Sequence, residues 1–217
     1  IVRHRKLGPS SLTMMELLTL SSQAKLNFDE VNKIIERDPS LTYLLLRFIN
    51  NPLVNKRYKI TSLKHALTFM GEVEVKKFIS LLALANLSDG QPTELMQMAL
   101  VRAKFCELVY TQLKDADDPL KGFLTGLLSL LDAMMEQRID DLVSKVPISD
   151  DVKDALCGSP GMLRNCLTLS QFFERAKWTG IQQFATKYGV KQSLLHSYYN
   201  EAIKWAKYIH KAALNDN

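Results

Sequence analysis

An all-helical fold is what the sequence predicts, and three observations carry that prediction. Apolar residues recur at spacings of three and four through most of the 217-residue chain. Helix start and stop signals punctuate those runs again and again. The strict alternation that marks a half-buried strand is nearly absent. An apolar share of 47% is ordinary for a globular protein and far above that of a disordered one. No run of about 18 uncharged apolar residues occurs, which argues against a membrane-spanning helix. The most apolar stretch, Phe78 to Leu87, is interrupted by Ser80 and Asn86 and reads as a buried helix. The length suits one large helical domain or two smaller ones.

The elements follow in order. Leu12 to Leu20 is apolar and short, and a detached amphipathic piece of that kind needs a surface to cover it. Asn27 and Glu30 have capping-box-like spacing ahead of Phe28, Val31, Ile34 and Ile35, which share one helical face. Asp38-Pro39 starts the next helix, with Asp as N-cap and Pro at the first position, where a missing N–H costs nothing. Leu41, Leu44, Leu45, Phe48 and Ile49 form its stripe, and Asn50-Asn51-Pro52 stops it. Ser62 is placed to cap Leu63 to Met70, and Gly71 suits the left-handed position just beyond. Val75, Phe78, Ile79 and Leu82 carry the helical period on to Leu87. Ser88-Asp89-Gly90-Gln91-Pro92 is the clearest internal linker and marks a boundary between subdomains of about 21–88 and 92–213.

In the second half, Met96, Ala99, Leu100, Ala103, Cys106 and Tyr110 line a long helix. Asp115 to Pro119 breaks it, and a helix from about Leu120 to Met135 follows. Shorter helices are expected at Asp140–Lys145, Asp150–Leu156 and Met162–Arg175. The last pattern runs from Lys191 to Ala213, with Leu194, Leu195, Tyr198, Ala202, Trp205 and Ile209 inward, and 214–217 form a tail. Gly122 and Gly126 are four apart, a spacing that in a helix outside the membrane signals close helix packing.

Arg3, His4, Arg5 and Lys6 at the start are not followed by an apolar signal core. Residues 1–20 are therefore expected to be a linker from a longer polypeptide, not a targeting peptide. Cys106, Cys157 and Cys166 are odd in number with no CxxC spacing, which predicts reduced thiols and a cytoplasmic setting. Cys106 lies on an apolar stripe and reads as a small core residue. A net charge of +5 is compatible with nucleic acid or an acidic partner but too mild to imply either.

Two stretches together resemble the opening signature of the HDOD family. One is Asp38-Pro39-Ser40-Leu41-Thr42 with Leu45-Leu46-Arg47 and Asn50. The other is Ile60-Thr61-Ser62-Leu63 with Ala66-Leu67 and Met70-Gly71. Ala99 to Glu107, Gly126 to Ala133 and Pro147 to Val152 look like the second half of the version found after EAL domains. The likeness covers roughly residues 20 to 210 and implies a multi-helix HD-like bundle, an HDOD domain at 21–213. It implies a non-catalytic regulatory, protein-interaction module of bacterial signal transduction, linked to cyclic di-GMP. Its partner would be an adjoining signalling domain such as EAL, or a separate signalling protein.

HD enzymes hold metal ions with an adjacent His-Asp pair and use metal-bound water on phosphate esters. The matching helix here carries Ser129 and Leu130, a poor ligand and a non-ligand, so no catalytic residue, metal or cofactor is expected. Asp132 would lie about 200° round a helix from Leu130, and His4, His65, His196 and His210 show no ligand spacing. The sequence holds no GxSxG, no glycine-rich phosphate loop and no HExxH. Two other readings are a divergent metal-dependent HD-type phosphohydrolase and a nucleotide- or nucleic-acid-binding module. The basic candidates for such a surface are Lys56, Arg57 and Lys59 in a loop, and Lys204 and Lys207 on the last helix beside Trp205 and Tyr208. A solvated face is the simpler reading of both. The methionine pairs Met14-Met15 and Met134-Met135, with Met96 and Met98, could line an adaptable groove for a partner helix, though such residues more often fill gaps in a core.

Overall fold

A computed structural model describes residues 11–50, 60–87 and 93–211. Every regular element among them is helical, so the predicted all-α class holds. The described residues fall into two compact units that divide between residues 86 and 87, and each is taken by itself.

The first unit contains α1 (Ser11–Ser21), α2 (Phe28–Glu36), α3 (Pro39–Ile49) and α4 (Leu63–Leu87). Residues 11–20, part of the 1–20 expected to be a linker, lie in α1, whose Leu17 is fully buried. Asn27 caps α2 by accepting from the Glu30 N–H at 3.3 Å, and Asp38 caps α3 by accepting from the Ser40 N–H at 3.0 Å, with Pro39 next. Asn50 ends α3 and does more than stop it. Its Nδ2 donates to the carbonyls of Leu46 and Ile60, both at 2.8 Å, while its Oδ1 accepts from the Ile60 N–H at 2.7 Å. One amide thereby satisfies both backbone groups of Ile60, whose side chain is buried. Ser62 accepts from the His65 N–H as the cap of α4. Inside α4, Gly71 has φ +73°, the conformation only glycine takes freely, and it breaks the element into two helical segments. Glu72, just past that break, accepts from the Leu26 N–H at 3.1 Å and pairs with Lys76 at 2.8 Å. Lys76 in turn donates to the Gln23 carbonyl. The α1–α2 connection is held to α4 by these bonds.

The second unit contains α5 (Thr93–Thr111), α6 (Pro119–Leu127), α7 (Leu131–Met135), α8 (Ile139–Val143), α9 (Asp150–Leu156), α10 (Met162–Glu174), α11 (Trp178–Tyr188) and α12 (Gln192–Ile209). Buried side chains surround α5 on nearly all sides, which makes it the central helix. It lies closest to α6, and the two glycines are the reason. A Cβ on Gly126 would stand 2.2 Å from the Arg102 carbonyl oxygen, and one on Gly122 would stand 2.8 Å from that of Cys106. The Cys106 thiol is fully buried, and that desolvation pushes its pKa well up. The helix expected at Leu120–Met135 is two helices, α6 and α7. The helix α11 lies where no element was expected.

A polar cluster ties the start of α6 to α5 and α9. Asp118 caps α6 through the Leu120 N–H, with Pro119 at the first position. Lys121 bridges Asp117 and, at 2.7 Å, Asp151. The Tyr110 hydroxyl donates to Asp117 at 2.7 Å. The Lys121 hydrogen bond and then the Tyr110 hydroxyl hold the Asp117 carboxyl down at about 2, against an ordinary 3.8. Burial and then Asp117 push the Tyr110 phenol up to about 12 from 10.0.

Gly126→Ala should destabilise the second unit by roughly 2–3 kcal/mol, because backbone must move aside. Gly161→Ala, with no atom within 4 Å of the new methyl, should change stability by well under 1 kcal/mol; denaturant midpoints compare the two. For pH, the depressed Asp117 stabilises the fold above its unfolded value of 3.8, and that contribution is lost as pH falls toward 2. The raised Tyr110 stabilises it below 10.0, and that contribution is lost as pH rises toward 12. Urea midpoints should thus fall on both sides of a plateau from about pH 4 to 10. Asp117→Asn should flatten the acid limb, and Tyr110→Phe should reduce the alkaline one.

Candidate functional site at the Ser129 turn

Ser129 and Leu130, likened above to the HD pair, lie in a turn between α6 and α7. The Ser129 hydroxyl donates to the Gly126 carbonyl at 2.7 Å, and the Ser129 N–H reaches the same oxygen at 3.3 Å. A serine side chain that bonds its own helix's carbonyl competes with the helical ladder. Leu130 then takes φ −120° and ψ 14°, and α7 begins after it. The angular argument about Asp132, which assumed one continuous helix, therefore does not apply.

The Ser129 oxygen also accepts from Arg102 Nη1 at 3.1 Å. Arg102 is 6% exposed, in the middle of α5. Its guanidinium forks onto Glu174 at the end of α10, with Nε to Oε1 at 2.7 Å and Nη2 to Oε2 at 2.8 Å. Nη2 also meets the Met98 sulfur at 3.6 Å. A bidentate, charge-assisted pair of this kind offsets much of the desolvation cost of burying both ions. Three elements meet at one side chain: α5, the end of α10, and the turn after α6.

This set does not fit a metal ion. The hydroxyl nearest the HD position faces a fixed cation, and Leu130 offers no donor. Among the described residues no group of three or more His, Cys, Asp or Glu side chains converges. Of the histidines, His65 is exposed on α4, and His196 lies half-buried between the rings of Trp178 and Phe173. Lys204 and Lys207 are exposed on α12, while Trp205 between them is half-buried with its ring edge-on to Phe123. Lys56, Arg57 and Lys59 lie outside the described residues. Of the methionines, Met14, Met96 and Met134 are core, whereas Met15 is 66% exposed.

The family model described as the HDOD domain matches residues 7–146. The chain belongs to the HDOD family. It is 32% identical, over 97% of its length, to the cyclic di-GMP phosphodiesterase CdgJ of Vibrio cholerae serotype O1 (El Tor Inaba N16961). Over 94% of its length it is 28% identical to the YuxH protein of Bacillus subtilis strain 168. The HDOD chain spans about half of each of these relatives, 49% and 50%. Among solved structures, it resembles a signal transduction protein of Marinobacter aquaeolei VT8 with TM-score 0.68 and 13% identity, covering 98% of this chain and 61% of that one. An HDOD protein of Geobacter sulfurreducens gives TM-score 0.51 at 14% identity, covering 96% and 75%. Both show the fold.

One expectation is corrected here. The Ser129–Leu130 pair led to a reading of the protein as no enzyme, yet a relative matched along nearly the whole chain is named a phosphodiesterase, which points to an enzyme. The pair speaks for one turn of this HDOD chain, whereas the relative is about twice as long. The sequence reading also missed Arg102 and Glu174 as partners. An arginine on a helix with apolar residues on every side was the available signal, because such a charge requires a buried counterpart. Which of the acids supplied it could not be read across 72 residues.

Removing one member of the pair should be costly and removing both much less so. Arg102→Met alone is expected to lower stability by about 3–5 kcal/mol, because Glu174 is left charged and buried. The double variant Arg102→Met/Glu174→Leu should recover most of that loss. Thermal melts of the two variants check the cycle; equal losses in both would contradict it.

Proposed function

We propose that this HDOD chain is part of a cyclic di-GMP phosphodiesterase, in which it regulates hydrolysis through contact with an adjoining signalling domain of the EAL type. The observation that carries this reading is the 32% identity to CdgJ along 97% of the chain. The half-length coverage of both relatives supports a neighbouring region that shares the work. A surface for such contact is available in the first unit. Between α1 and α2, Met15, Leu20 and Ile34 form the apolar floor of a groove of about 440 Å³, with Glu16, Glu30, Lys33 and Arg37 around it. Exposed methionine in an apolar groove with mixed charges at its edge suits a partner helix, since a flexible thioether adapts to the surface it meets.

The test is hydrolysis of cyclic di-GMP by the full-length protein, followed by separation of the nucleotide products. The protein is expected to open the cyclic dinucleotide, and Met15→Glu, which puts a charge into the groove, is expected to change the rate severalfold while leaving the helical content intact. No hydrolysis by the full-length protein would sink the reading. A rate indifferent to Met15→Glu would remove the groove from it.

A further inference from the structure

Positive charge is concentrated at the end of the chain. From Arg175 to Lys211 there are seven lysines and arginines and a single acid, Glu201, in a chain whose net charge is +5. At the head of that segment stands an aromatic ring that the fold positions without burying. Trp178, the first residue of α11, is 56% exposed, and one face of its indole lies on the His196 imidazole at 5.8 Å and 25°. His196 meets the edge of Phe173 at 5.0 Å, and Phe173 stacks on Tyr199 at 4.7 Å and 20°. Phe173 and Tyr199 both pack edge-on against Phe105 of α5. Trp178 is thus the outer leaf of a ring stack rooted in the core of the second unit.

The backbone beside it is equally fixed. The Lys177 N–H donates to the Phe172 carbonyl at 2.8 Å and the Ala176 N–H to that of Phe173 at 3.2 Å, the paired bonds of a Schellman turn. Ala176 sits at φ +52°, a position that favours glycine. Glu174, immediately before this turn, is locked by Arg102. Arg175 and Lys177 are both exposed, and neither forms an ion pair among the described residues.

A rigid aromatic face with two free cations within three residues matches a planar base that carries a phosphate. Stacking is worth about 1–3 kcal/mol per base and tolerates any base, while the cations answer the charge. A protein partner is the poorer fit. A buried interface anchor needs a ring of surrounding contacts to exclude water, and Arg175, Lys177 and Thr179 around Trp178 are exposed and polar.

We propose that the outer face of Trp178, with Arg175 and Lys177, is a binding site for a purine nucleotide, the base stacking on the indole and the phosphate held by the two cations. Resting on the function proposed above, that nucleotide is cyclic di-GMP, bound here as a ligand that tunes the protein handling it. The test is quenching of indole fluorescence in the purified protein titrated with cyclic di-GMP, with GMP, and with a short single-stranded RNA. Saturable quenching by cyclic di-GMP is expected, weakened by added salt and absent in Trp178→Phe, where Trp205 is the indole left in this chain. The double variant Arg175→Glu/Lys177→Glu should weaken it by roughly tenfold or more, while Lys64→Glu, exposed on α4 of the first unit, should leave it unchanged. Circular dichroism confirms that each variant keeps its helices. No saturable quenching, equal quenching in Trp178→Phe, or preference for the RNA would overturn the proposal. Saturation by GMP but not by cyclic di-GMP would overturn the assignment of the ligand. Hydrolysis measured on the full-length protein is a separate readout, so loss of the phosphodiesterase reading and loss of this site are told apart.

Discussion

The second unit depends on one buried charge. A guanidinium moved from water into a protein interior costs several kcal/mol unless its donors are met, and Arg102 is 6% exposed. Its fork is closed by both Glu174 oxygens and by the Ser129 hydroxyl. The same residue's carbonyl lies where Gly126 presses closest, so backbone and side chain of Arg102 serve two adjacent contacts. The close approach of α6 to α5 brings the chain past Gly126 to Ser129 within reach of the guanidinium. Glycine at 126 and serine at 129 are therefore linked requirements: one permits the approach and the other answers the charge it uncovers. Buried ion pairs of this kind are weak evidence for net stability, but leaving one half unpaired is strongly unfavourable. The pair accordingly constrains which arrangements of α5, α6 and α10 are tolerable more than it strengthens any of them.

That constraint extends along the chain from Glu174. The residue closes α10, and the turn after it carries Ala176 at φ +52°. An alanine there costs on the order of 1 kcal/mol against a glycine, and the turn keeps its form because both sides are fixed. On one side the carboxylate is held by Arg102. On the other, Gly180 packs so tightly on the Phe172 ring that a Cβ would come within 2.6 Å. Trp178, between those points, inherits its orientation from them. An exposed indole on a free loop would sample many positions; this one has its inner face committed to His196. The core ion pair and the surface ring thus belong to one chain of contacts.

Much of the fold was legible in the sequence because its signals are local. Asp38-Pro39 caps and starts α3 as its residue types dictate, the polar stretch ending at Pro119 separates α5 from α6, Gly71 breaks α4 at positive φ, and the Gly122–Gly126 spacing marks the closest helix contact. What escaped was set by partners far away or by missing signals. The N-cap of α11, Lys177, makes no side-chain capping bond, so nothing marked its start, although Trp178, Ile181, Phe184, Ala185 and Tyr188 keep helical spacing. The break after α6 was hidden because Leu-Leu-Ser-Leu-Leu reads as uninterrupted helix. It takes the Ser129 side chain, bonded back to Gly126 and forward to Arg102, to turn the chain there. Of the candidate site, the Ser129–Leu130 position was singled out, but neither its turn nor its chemistry was legible, because Glu174 lies 72 residues from Arg102.

A relative that is named a phosphodiesterase is consistent with that turn, whose chemistry is local. A divalent ion beside Ser129 would stand next to a fixed guanidinium already satisfied by a carboxylate. Two like charges in a medium of low polarity repel by several kcal/mol at such separations. At this turn a hydroxyl accepts from a cation, so its chemistry is architectural. That chemistry is local. It does not bear on the remaining length of a relative twice as long. On the proposed reading, phosphodiester hydrolysis rests on residues other than Ser129 and Leu130, and the Arg102 contacts to Ser129 and Glu174 are what hold the α10–α11 turn rigid enough to present Trp178.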